Sequence, residues 1–81
     1  MRYLISYDLR QPGQNYATLV SQLKKAGAKQ VLLSAWAVST TWNATQICNW
    51  VRQYTDLNDR IVVTELQNWG SYGSMTDINL V

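Results

Sequence analysis

This chain contains no histidine, and the side chains whose types and placement could do chemistry include five carboxylates and one thiol. Without an imidazole there is no Ser–His–Asp or Cys–His relay, no histidine general base and no histidine metal ligand. Of the carboxylates, Asp8 is the best placed. It closes a run in which Tyr3, Ile5 and Tyr7 alternate with Leu4, Ser6 and Asp8. Apolar residues in both sets predict a central β-strand covered on both faces. A carboxylate at the end of such a strand is held rigidly and still reaches solvent, as a metal or catalytic ligand must. The competing reading is an aspartate that only caps the loop after a strand. One carboxylate does not make a magnesium site, which needs near-octahedral oxygen ligands. A two-fold dimer with its strand ends near the axis would let two Asp8 copies share one ion and a phosphodiester.

The remaining groups offer less. Glu65 falls near the end of the last predicted strand; it approaches Asp8 if those strands are neighbours, or it meets Arg2 or Arg10 instead. Asp56 and Asp59 read as turn residues and Asp77 as solvated. Cys48 lies between Ile47 and Trp50 on a predicted helix, where a cysteine is usually a small buried hydrophobe. No GxGxxG or GxxxxGK[ST] is present, so no dinucleotide or P-loop site is indicated.

Eighty-one residues form a single predicted domain, 1–81, with its core over about 2–66 and a loop and tail over 67–81. A core this small is marginal. One cysteine and no histidine exclude an internal disulfide or a structural zinc, so oligomerisation is the expected support. Four tryptophans and five tyrosines fit an interface as well as a core. A net charge of +2, with the cations dispersed, is too small to diagnose nucleic-acid binding. No apolar run is long enough to span a membrane, and the chain enters a strand without a signal-peptide pattern. The expectation is a cytoplasmic protein with a reduced thiol and no membrane partner.

The elements that must position Asp8 follow from periodicity. Tyr16, Leu19, Val20 and Leu23 form a helical stripe over about Asn15 to Ala26, with Asn15 as cap, Lys24 and Lys25 in the last turn, and Gly27 as terminator. Lys29 to Thr40 is β-prone throughout. With no Asn-Gly or Asp-Gly turn inside it, it is read as a strand that changes partners around Ser34, the alternative being two strands meeting near Ser34-Ala35. Asn43 and Gln46 make a capping box before the stripe Ile47, Trp50, Val51 and Tyr54. Arg60 to Leu66 is the last main strand. Ile78 to Val81 is read either as an additional short strand that pairs with a partner's sheet edge or as a frayed end. The order predicts an α+β, ferredoxin-like βαββαβ sandwich with both helices on one face. Its other face would be bare unless a second subunit covered it.

Three stretches carry a resemblance: Tyr7-Asp8-Leu9, the amphipathic helix ending at Gly27, and Gln30-Val31-Leu32-Leu33-Ser34-Ala35-Trp36. Together they resemble the small ferredoxin-fold, endoribonuclease-like subunit of CRISPR adaptation; the VapD-type toxins share that fold. The resemblance implies a homodimer with open sheets facing each other and Asp8 near the interface. It implies either magnesium-dependent cleavage of RNA or DNA, with Asp8 as the catalytic and metal-binding residue, or a non-catalytic scaffold for a CRISPR integrase. Arg10 and Ser34 are the residues it places near nucleic acid, and Trp36 is expected to pack. The chain departs from the pattern at Leu32, where the family carries Gln, and at Trp36, where it carries Phe. The first helix also lacks a basic start, which weakens the expectation of phosphate binding. An aromatic-rich interaction domain or toxin–antitoxin component that shares only the fold is the remaining reading.

Overall fold

The computed structural model describes residues 1–9 and 16–81. The expected Pro12-Gly13 turn, the Asn15 cap and Arg10 lie outside the described residues. Strand β1 (Arg2–Asp8) is followed by helix α1 (Ala17–Lys25), strands β2 (Lys29–Leu32) and β3 (Ala35–Ser39), helix α2 (Ala44–Arg52) and strand β4 (Arg60–Glu65). The four strands pair antiparallel in the order β2-β3-β1-β4. This small α+β architecture is consistent with a ferredoxin-like arrangement.

The alternation in β1 sorts its side chains as the sequence predicts. Tyr3, Ile5 and Tyr7 are buried in a cluster with Leu19 and Leu23 of α1, Trp36 and Val38 of β3, and Ile47 and Val51 of α2. Leu4, Ser6 and Asp8 take the other face and become more exposed toward Asp8. Helix α1 ends where Gly27 adopts φ +82, the left-handed conformation that glycine enters without a Cβ clash. Helix α2 begins with the predicted capping box. Gln46 N–H donates to Asn43 Oδ1 at 2.8 Å, and Asn43 N–H donates to Gln46 Oε1 at 2.9 Å. Trp36 packs as expected, 2% exposed, and its indole N–H donates to the Tyr7 hydroxyl at 2.8 Å.

Two readings need correction. Lys29 to Thr40 is not one strand changing partners but the alternative, two strands meeting near Ser34-Ala35: β2 and β3 form a hairpin joined through Leu33-Ser34. None of the described non-glycine residues has positive φ, so the connection is not one of the primed turns that Asn-Gly would have signalled. The register slips between Gln30 and Leu32 instead, and such an irregularity adds the twist the strands need.

The tail is neither an additional strand nor a frayed end. Ile78–Leu80 is a short 3-10 helix, and its first turn is closed by Asn79 N–H donating to Asp77 Oδ1 at 3.0 Å. An aspartate that offers the backbone a local acceptor favours a turn over a strand. Ile78 is 7% exposed and Leu80 is 80% exposed, so they do not share a face of a joined sheet. Ile78 packs with Val31, Ala35 and Ala37, flanked by Leu4, Leu66, Trp69 and Val81. The face expected to lie bare is therefore covered over its β2/β3 half by the chain itself. Arg2 clasps the tail: Nε donates to Val81 O at 2.8 Å and Nη2 to Asn79 O at 3.1 Å, while the guanidinium lies 5.6 Å from the Trp69 ring centre. Met75 N–H adds a bond to Val31 O at 2.8 Å.

Candidate functional site

Asp8 lies where β1 leaves the sheet, on the face opposite the helices. Its register partner is Arg60, the first residue of β4. Arg60 Nη1 stands 3.9 Å from Asp8 Oδ2, and the two side chains are 67% and 68% exposed. An ion pair this wet contributes less than about 1 kcal/mol. It leaves Asp8 accessible while setting a cation beside it.

Ser34 comes to the same end of the sheet. Ser6 pairs with Ala35 in the β1–β3 ladder, and Tyr7 N–H donates to Ser34 O at 3.0 Å. Asp8, Arg60 and the exposed turn at Ser34 thus share one rim, of which the sequence reading named Asp8 and Ser34 but not Arg60. Antiparallel pairing determines that partner, and it becomes visible only once β1 and β4 are known to be neighbours in this register.

Glu65 does not approach Asp8. It pairs with Tyr3 at the far end of the β1–β4 ladder, some five residues from Arg60, or roughly 17 Å at strand rise. Asp59 does more than shape a turn. Its carboxylate accepts the Tyr16 hydroxyl at 3.1 and 2.9 Å and Asp56 N–H at 2.7 Å, tying the loop after α2 to the start of α1. Asp56 accepts Asn58 N–H at 3.0 Å, a turn residue as read. Cys48 is half-buried, not fully enclosed.

No group of three His, Cys, Asp or Glu residues gathers among the described residues. Asp8 has a guanidinium beside it and belongs to no such group, which makes this rim of one chain a poor donor set for magnesium. Beneath the rim, Tyr7 is held in its neutral form. Burial raises its pKa above the usual phenol value, and the bond from Trp36 offsets part of that rise. Elsewhere, an apolar cleft of about 220 Å³ opens between the end of α1 and the start of α2, with Trp42 and Trp50 at its mouth. Among the described residues no helix is long and apolar enough to cross a membrane.

No family model matches this chain, and no solved structure matches it.

Proposed function

We propose that this chain is a ferredoxin-like βαββαβ module that works as a homodimer and binds nucleic acid as a non-catalytic scaffold, with an integrase-like protein as the partner its family resemblance implies. The observation that carries the scaffold reading is the Asp8–Arg60 pair. The carboxylate on which cleavage would depend already faces a cation, and it belongs to no cluster of three such ligands among the described residues. Arg60 then offers a phosphate contact at an exposed rim. The half of the open sheet face that the tail leaves uncovered carries Val62, 63% exposed, between the Asp8 rim and Thr64. This is the region through which a second copy would dock.

A second reading is favoured by one feature, the exposure of Asp8 at a strand end. A dimer joined through this rim would bring two carboxylates together, the minimum for a magnesium-dependent phosphodiesterase acting on RNA or DNA.

The test is salt-titrated binding to duplex and single-stranded probes, with each mixture inspected for cleavage with magnesium and with chelator, and sedimentation in parallel. The scaffold reading expects a dimer and binding that weakens with salt, with intact probes throughout. Arg60→Ala should weaken binding, and Asp8→Asn should not. Magnesium-dependent cleavage that disappears in Asp8→Asn would establish the nuclease instead.

A further inference from the structure

At the far end of β1 from Asp8, the start of α2 presents a different surface. Trp42 and Trp50 meet with ring centres 6.4 Å apart and planes at 87°, and Tyr54 continues the row 5.6 Å from Trp50. Trp42 is 45% exposed. In this edge-on contact the two indoles brace one another at right angles, and the exposed part of Trp42 is the surface on which a planar molecule can stack at this corner. Gln46, Asn49 and Gln53 complete the lining of an open hollow of about 300 Å³ that contains no charged side chain. Gln46 and Asn49 lie on one side of α2 and Gln53, its C-cap, follows at helical spacing. Asn49 and Gln53 make no side-chain hydrogen bond among the described residues, and the Gln46 amide nitrogen remains a donor because its oxygen serves the capping box. Free amides beside an exposed aromatic face are the chemistry that reads a nucleobase: the ring stacks, and donor–acceptor amides meet its edge.

We infer that this corner binds one unpaired base of a single-stranded nucleic acid, adenine being the base whose edge suits Asn and Gln. The inference rests on the nucleic-acid reading above and gives it a second, separate contact. Arg52 stands at the border of the hollow, lining the adjoining cleft with Asn49 and Gln53. It is the cation placed to meet the phosphate of the stacked nucleotide. Asp56 and Asp59 line that cleft too, so the charge there suits a single backbone contact. Stacking therefore dominates, and the salt dependence of this site is shallow.

The experiment is tryptophan-fluorescence titration of the full chain with short oligoadenylate, an abasic strand of equal length and a duplex. Oligoadenylate should quench and bind at least tenfold more tightly than the abasic strand. Trp42→Ala should lower that affinity about tenfold or more without altering duplex binding. Asn49→Asp, at an exposed position where folding is not at issue, should do the same. Arg60→Ala should weaken the duplex and spare the base-dependent part. Equal binding of oligoadenylate and abasic strand, or unchanged affinity in Asn49→Asp, would overturn the inference while leaving the scaffold reading intact. Failure of the wild-type chain to bind any of the three would overturn both. Quenching by a neutral oligosaccharide in their place would assign the corner to sugars and overturn it as well.

Discussion

A side-chain hydrogen bond ties β1 to β3 inside the helix-side core, one residue from Asp8. The Trp36–Tyr7 hydrogen bond is buried, so removing one partner strands the other. Tyr7→Phe leaves the indole N–H without its acceptor and should cost about 1–3 kcal/mol in urea unfolding. It should also change the alkaline limb. A phenol whose pKa is higher folded than unfolded stays protonated in the native state while the unfolded chain ionises. Its contribution to stability is thus full below the unfolded value near 10 and lost as pH rises through the folded one. Wild type should lose stability above about pH 10 more steeply than Tyr7→Phe; parallel curves would show that Tyr7 titrates normally. By contrast, Arg60→Ala should shift stability by no more than about 0.5 kcal/mol, because its partner is as wet as it is. Any large loss there would mean that Arg60 has a role within the fold.

The helices show how local chemistry settles an element. Asn43→Ala removes the acceptor of the capping box and should destabilise α2 by about 1 kcal/mol. Gly27→Ala meets no neighbouring atom within 4 Å but must hold φ +82, so about 1–2 kcal/mol of backbone strain is expected with no packing defect. Both are read by urea midpoints at constant slope. These were also the legible parts of the sequence: stripes at Leu19/Leu23 and Ile47/Val51, the cap at Asn43 and the stop at Gly27 are each fixed by residues within one or two turns. The β2–β3 hairpin was legible only as the alternative of two strands meeting near Ser34-Ala35, because its turn uses ordinary negative φ at Leu33-Ser34 and no turn-specific residue announces it. Of the rim, the strand end at Asp8 was readable from alternation, whereas Arg60 opposite Asp8, Glu65 far from it and the Tyr16–Asp59 bond depend on register between distant segments. The aromatic corner escaped for a related reason. Trp50 and Tyr54 read as core positions, and only the folded placement of Trp42 beside them turns part of that stripe outward.

Across the whole molecule, β1 divides two apolar clusters of unequal size, the larger beneath the helices and the smaller beneath the tail. Ile78→Ala should destabilise the protein by about 2 kcal/mol or more through the cavity it leaves. Arg2→Gln should loosen the same segment by removing the charged fork that holds Asn79 and Val81. Either change should expose Val31 and Ala37 and raise the tendency to self-associate, measured by sedimentation; an unaltered monomer–dimer balance would show that the covered half of the sheet has no affinity for a second copy. The partition also gives the molecule two thresholds of opening. The tail can lift from the sheet while Leu23 and Val51 remain packed, so the amide protons of Met75, Asn79 and Val81 should exchange with solvent deuterium through a small excursion that depends weakly on denaturant. Those of Leu23 and Val51 must wait for global unfolding, with the steep denaturant dependence that accompanies it. Equal exchange free energies in the two sets would mean that strap and core open as one unit.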